Sequence, residues 1–195
     1  MRILHVLTYP PDQIGGQEIF VKNLTWNLKK QNIYSEIITA DKKRPNPFVM
    51  DFNGIKVHFA KYYFSLWNIN PVFNIFPILF RIGQNFDIIH IHSYVYFSSI
   101  QAILYAKLKK KPVLLTLHGS GQKGLWKDIK INEKIKLFIK NMIFDKTLGS
   151  FVIKQADILH SVSRRDIVEL NSNFGLYRKR NYWIPNAVEI GRAHV

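Results

Sequence analysis

Two adjacent glycines, Gly15 and Gly16, separate an apolar N-terminal run from a stretch with helical spacing. A glycine pair at a strand-to-helix turn lets the backbone come close to a ligand, and the helix N-terminus behind it favours negative charge. The pair therefore suits an anion or a sugar, and it also fits a plain tight turn. Three further groups follow apolar runs in the same way: His92 with Ser93, His118 with Gly119, and Ser161 to Arg165, which includes Ser163 and Arg164. Together they supply backbone donors, imidazoles, hydroxyls and guanidiniums, a set matched to hydroxyl and phosphate groups. His90 lies within its apolar run and reads as a core histidine. His92 fits a core or a ligand role equally, whereas a core role is hard to arrange for His118 at a strand mouth. Arg164 and Arg165 are either solvated first-turn residues or, because their charge opposes the helix dipole, neighbours of an anion.

Alternating strands and helices must position these groups. Ile3 to Leu7 is nearly continuously apolar, as in a parallel strand covered on both faces. Phe20, Val21, Leu24 and Leu28 then recur at helical spacing over Gln17 to Gln31. Ser35 to Thr39 and Asp87 to His92 read as buried strands, as does Val113 to Leu117 after Pro112. Ile55 to Phe59 alternates behind Asn53-Gly54, which predicts a small turn or hairpin. Helices are expected over about 62–83, where Pro77 would kink or end one, over 93–109, over 132–155, and from Arg164 to about Ser172 behind a Ser163-x-x-Asp166 capping box. Strands at 156–162 and 181–184 complete the pattern. It predicts an α/β domain with a doubly wound, Rossmann-like parallel sheet. The strand ends listed above converge on one rim, where such sheets bind ligands.

The bulk properties narrow the chemistry. At 195 residues the chain fits one domain. With no cysteine, disulfides and thiolate chemistry are excluded. The net charge of +15 suits nucleic acid, an anionic bilayer or a phosphorylated substrate, or simply reflects a lysine-rich surface. No zinc-finger spacing or aromatic RNA-binding strand motif occurs, so no nucleic-acid partner is expected. Gly-x-Gly-x-x-Gly, Gly-x-x-x-x-Gly-Lys and Gly-x-Ser-x-Gly are absent, as are Asp-x-Asp and His-x-x-x-His, so metal-independent chemistry is expected. No apolar run reaches the roughly 20 residues of a membrane span, and a cytoplasmic location is expected.

Six short segments resemble, in order and spacing, the N-terminal half of retaining GT-B glycosyltransferases of the family that includes sucrose synthase and bacterial mannosyltransferases. They are Arg2-Ile3-Leu4-His5-Val6, Pro10-Pro11 with Gly15-Gly16-Gln17-Glu18, Asp87 to Ser93, Thr116-Leu117-His118-Gly119, Ala156-Asp157 with Ser161-Val162-Ser163, and Ile184 to Val188. The resemblance implies an acceptor-side domain over 1–184 and the start of an interdomain linker over 185–188. A C-terminal domain missing from this chain would grip the nucleotide-sugar donor, a co-substrate, with no separate cofactor. It further implies that His118 contacts the transferred sugar as the catalytic candidate and that Gly15 and Gly16 lie near the donor phosphates. His92, Gly119, Ser163 and Arg164 complete the expected substrate-binding set. Such a fragment should not transfer sugar by itself. The acceptor would be a glycan or a lipid-linked molecule. Leu125 to Lys146 mingles apolar and lysine residues, which suits either a helix on an anionic membrane surface or a core helix with a solvated face.

The last seven residues, Glu189 to Val195, follow neither strand nor helix patterning. Read back as GAG ATC GGA AGA GCA CAC GTC they reproduce a common sequencing adapter, so 189–195 is expected to be a non-native tail. Two other readings compete with the enzyme. One is a non-catalytic Rossmann-like module for a phosphorylated ligand or anionic surface. The other is an oxidoreductase with Asp41 on a ribose, against which the missing third glycine argues.

Overall fold

Strand β1 (Arg2–Val6) is mostly apolar, His5 excepted, because the sheet is covered on both sides. In the computed structural model, which describes residues 1–13, 15–66, 70–119, 146–174 and 180–186, only Arg2 of this strand is exposed. Parallel neighbours flank it, β2 (Tyr34–Thr39) on one side and β7 (Ile88–His92) on the other. Beyond β2 lie β4 (Ile55–Phe59) and the antiparallel edge strand β3 (Phe48–Phe52). Beyond β7 lie β8 (Val113–Leu117), β9 (Ile158–Ser161) and β10 (Arg180–Trp183), all parallel. The order is β10-β9-β8-β7-β1-β2-β4-β3. The chain winds outward from β1 in one direction and then returns to wind in the other. The topological switch point therefore falls between β1 and β7, where a doubly wound sheet opens a crevice at its carboxyl edge.

Five described helices clothe the sheet: α1 (Gly16–Lys30), α2 (Phe76–Ile82), α3 (Phe97–Leu108), α4 (Ser150–Gln155) and α5 (Arg164–Phe174). Both α1 and α3 end in a left-handed residue, Asn32 and Lys110, and the next amide reaches back to Leu28 and Ala106 respectively. These Schellman-type closures stop each helix and aim the chain into the following strand. The hairpin between β3 and β4 turns on Asn53-Gly54, both left-handed as a two-residue turn requires, with Asp51 Oδ1 accepting from the Gly54 amide at 2.7 Å.

Side chains alternate across the strands, so the sheet has two cores. Leu4, Val6, Ile89, Ile91, Leu115, Leu117 and Leu159 face α2, α3 and α4 in one large apolar cluster. On the other face, Leu7, Ile37, Val57 and Phe59 pack with Val21 of α1. Burial of each such Leu or Ile contributes about 1.5–3 kcal/mol. The smaller cluster stops at β1. Across the rest of that face the buried polar positions are His5, His90, His92, Thr116 and His160, beside the buried Ile3.

The helix expected over 62–83 is not formed as such. Residues 61–74 instead hold an antiparallel pair, β5 (Lys61–Leu66) and β6 (Asn70–Asn74), and only 76–82 is helical. Gln101 of α3 decides the matter: its amide donates to Phe73 O and its oxygen accepts from the Ile75 amide, both at 2.8 Å. Pro77 sits in the first turn of α2, where a missing N–H costs nothing. Of the expected 132–155 helix, only the end is described, with α4 helical. The basic stretch 125–146 and the tail 189–195 lie outside the described residues, Lys146 excepted. Among the described residues no helix is long and apolar enough to cross a membrane.

Candidate functional site

The rim of the crevice is assembled from the ends of β1, β7, β8 and β9. After β7 the chain turns through Ser93, a non-glycine residue at φ 77°, held by its amide on Thr116 O at 2.8 Å and by Ser99 Oγ on its carbonyl at 2.8 Å. Such a conformation is unfavourable for a residue with a side chain and concentrates at functional turns. After β8 the chain passes through His118 to Gly119, at φ 82°, where glycine avoids the left-handed penalty.

Asp166, buried in the first turn of α5, fastens this turn. Its Oδ2 accepts from the Gly119 amide at 3.0 Å and from Ser161 Oγ at 3.0 Å. The Ser163 amide donates to Ser161 Oγ rather than to Asp166. The expected capping box is thus replaced: α5 starts where predicted, but its acidic residue reaches sideways to β8. Gly119 accordingly spends its N–H on Asp166, Ser163 spends its backbone on Ser161, and Arg164 is exposed at the start of α5.

His118 and His92 meet directly, His92 Nδ1 lying 3.2 Å from His118 Nε2. His92 Nε2 lies 3.1 Å from His5 Nδ1. A second chain runs from His90 Nε2 to Thr116 Oγ1 at 2.7 Å, on to His160 Nδ1 at 3.0 Å, and from His160 Nε2 to Ile184 O at 3.0 Å. Phe20 of α1 lies over this layer, its ring 4.9 Å from that of His118 and 6.1 Å from those of His92 and His160. Burial lowers the pKa of His5 to about 3 and of His118 to about 4, and drives those of His90 and His92 well below the ordinary value. All four rings are neutral at physiological pH and serve as hydrogen-bonding groups, not cations.

At the glycine pair, a methyl placed on Gly15 would collide with the buried Glu18 carboxylate, which would have to move. A methyl on Gly16 would meet nothing within 4 Å. Gly15 thus makes room for Glu18 and Gly16 leaves space open at the start of α1. Burial raises the Glu18 pKa, an effect partly offset by a bond from its own amide. Tyr9 in the preceding loop stands edge-on to Tyr96, joining the β1 and β7 sides of the rim at a centroid distance of 6.4 Å.

One ring nitrogen each from His5, His90 and His92 lies within 4.8 Å of the others, the only such grouping of potential metal ligands among the described residues. His5 and His92 already bond to each other within it, and His90 is engaged by Thr116.

The structure places His118, Gly119, Ser163 and the glycine pair at one edge, with Arg164 exposed at the start of α5. It encloses the expected substrate-binding His92 behind His118, 1% exposed and with both ring nitrogens bonded to other histidines, so that His92 has no nitrogen left for a substrate. Sequence reasoning missed His5, Phe20 and Asp166 as parts of that edge. Strand alternation could have found His5, since it is the register partner of His90 on the same face.

The fold is that of GT-B glycosyltransferase domains. The chain superimposes on the catalytic domain of starch synthase IV from Arabidopsis thaliana, a structure bound to ADP and acarbose, with a TM-score of 0.55 and 16% identity, covering 96% of this chain and 52% of that one. It also superimposes on MurG of Acinetobacter baumannii, with a TM-score of 0.52 and 10% identity over 96% and 46% of the two chains. Residues 14–192 match Glycosyltransferase Family 4, and the chain belongs to that family. An uncharacterized glycosyltransferase of Methanocaldococcus jannaschii is 29% identical over 176 residues, which cover 84% of this chain and 43% of the relative. The chain therefore spans about half the length of the proteins it matches.

Proposed function

We propose that this chain is the acceptor-side domain of a retaining glycosyltransferase that moves a sugar from a nucleotide donor to a glycan or lipid-linked acceptor. The observation that carries the reading is the rim at the switch point: in a chain of this family, neutral His118 packs on Phe20, one helical turn after the glycine pair that opens α1. His118 contacts the transferred sugar, and Gly15 and Gly16 approach the donor phosphates. Gly119, Ser163 and Arg164 border the same crevice, Gly119 and Ser163 by shaping its turns, and the enclosed His92 acts only through His118. The reaction needs no metal, because the charge that develops on the leaving diphosphate is met by donors and cations of the donor-binding half. Transfer is read as the work of this domain together with that half. The basic surface suits an anionic membrane at the cytoplasmic face.

The test is transfer by a protein encoded by the full gene, measured with a panel of sugar nucleotides and with the anomeric configuration of the product read by NMR. Transfer with retention that falls at least a hundredfold in His118→Ala supports the reading. Inversion at the anomeric carbon, or unaltered turnover in His118→Ala, refutes it. Failure of the basic protein to sediment with anionic liposomes at low salt would remove the membrane from the account.

A further inference from the structure

Three rings stand in line behind the rim. His118 Nε2 faces His92 Nδ1 at 3.2 Å, and His92 Nε2 faces His5 Nδ1 at 3.1 Å. His92 and His5 are fully enclosed, 1% and 0% exposed, and His5 Nε2 meets no partner among the described residues. The file therefore begins at a half-buried ring on the crevice and ends at an unpartnered atom inside the fold.

A neutral imidazole carries one N–H and one bare lone pair. Burial keeps all three rings neutral, so each brings a single proton to the file. Both bonds can then be made in only two ways. If His118 donates inward from Nε2, His92 must donate from Nε2 to His5, and the His5 proton is left on Nε2 with nothing to accept it. If His5 donates outward from Nδ1, His92 donates from Nδ1 to His118, and His5 Nε2 retains only a lone pair. A buried N–H without an acceptor is the costlier orphan, so the outward arrangement prevails.

We propose that His92, backed by His5, is a positioning residue that holds His118 as its Nδ1–H tautomer, so that His118 offers the crevice a hydrogen-bond donor for a hydroxyl or phosphate oxygen. The histidine side chain in water favours the proton on Nε2, so the file reverses the ring's own preference. The edge contact with Phe20 steadies the ring plane while this is done. That the oxygen belongs to a sugar or its phosphate rests on the proposed function. The tautomer rests only on the three rings.

The experiment is a long-range proton–nitrogen NMR correlation on the histidine-labelled full chain without ligand, at about pH 7.5, above the ordinary histidine range. His118 is assigned by the loss of its signals in His118→Gln. The expected spectrum shows His118 Nδ1 at a protonated-type shift and Nε2 at a lone-pair-type shift. His92→Phe keeps a ring but no nitrogen, and it should return His118 to the Nε2–H form. His92→Asn places an amide N–H near the position of Nδ1 and should restore the wild-type pattern.

A His118 protonated on Nε2 in the wild-type chain overturns the proposal without recourse to any variant, and so does an unchanged pattern in a folded His92→Phe chain. One equivalent of transition metal in the purified chain overturns the role given to His5, because a metal on His92 Nε2 would take the lone pair that accepts the His5 proton. Because the spectra are read without ligand, a failure to bind sugar nucleotides counts against the functional reading alone.

Discussion

Acidification should unfold this protein through its own histidines. His5 and His118 have folded-state pKa values lowered by burial to about 3 and about 4, against an ordinary value of 6.5 in the unfolded chain. As pH falls below 6.5 the unfolded chain takes up these protons and the folded chain does not, so stability present above pH 6.5 is progressively lost. Between pH 7 and pH 5 the linkage amounts to about 2 kcal/mol for each ring, hence ~4 kcal/mol for the pair. His90, His92 and His160 are lowered as well and act in the same direction. A domain with 5–15 kcal/mol of stability, as is typical, is brought close to its limit. Urea melts at pH 7, 6 and 5 provide the assay, and for m near 2 kcal/mol/M the midpoint should fall by about 2 M or more. His5→Phe, which removes one titrating ring from the layer, should shrink the fall by about 2 kcal/mol. Coincident midpoints at pH 7 and pH 5 would refute the reasoning, because they would mean that the rings charge freely inside the folded chain.

Asp166→Ala removes two bonds to a buried carboxylate and should cost about 3–5 kcal/mol in urea melts, with faster exchange of the Gly119 amide; unchanged exchange would show that Asp166 does not fasten the turn. A methyl on Gly83 would lie 2.5 Å from the Tyr105 hydroxyl and 2.7–2.8 Å from ring atoms, so Gly83→Ala should destabilise by ~1–3 kcal/mol. Strict additivity of that loss with Tyr105→Ala would contradict the collision. Burial raises the Glu18 pKa, so this carboxyl opposes folding increasingly as pH rises above the ordinary value of 4.5 and it is forced to ionise. Glu18→Gln should therefore become relatively more stable than the parent as pH rises, and melting curves that keep a constant offset would count against that burial.

How much of this was legible in the residues depended on how local the deciding forces were. β1, β7 and β8 could be read because a doubly covered parallel strand is mostly apolar along its length, as Ile3 to Leu7 and Val113 to Leu117 are but for His5 and Thr116. The β3–β4 hairpin could be read because Asn53-Gly54 carries its own backbone preference. The β5–β6 pair could not. Val72, Phe73, Ile75 and Phe76 have a spacing that a helix would also use, and the choice is made by Gln101 from another helix altogether. The reach of Asp166 was hidden for the same reason. Ser163-x-x-Asp166 is a local pattern, yet Asp166 accepts from donors outside it, the Gly119 amide and the Ser161 hydroxyl.

The histidine layer lies between these cases. Each of His5, His90 and His92 looks alone like a polar residue misplaced in an apolar strand, and burying one unpaired imidazole would be costly. Their spacing removes the difficulty. His90 and His92 stand two apart on one strand and His5 is the register partner of His90 on the next, so strand alternation turns all three to one face. Thr116 pairs with His92 across β7 and β8 and with His160 across β8 and β9, extending the layer toward the sheet edge. Each ring finds its partner in another inward-facing polar residue, and the sheet thereby buries polar groups beneath the rim where a larger side chain would only fill space. Phe20 follows the glycine turn by one helical turn and lies on the ring of His118. The entry of α1 and His118 are thereby joined by a packed contact.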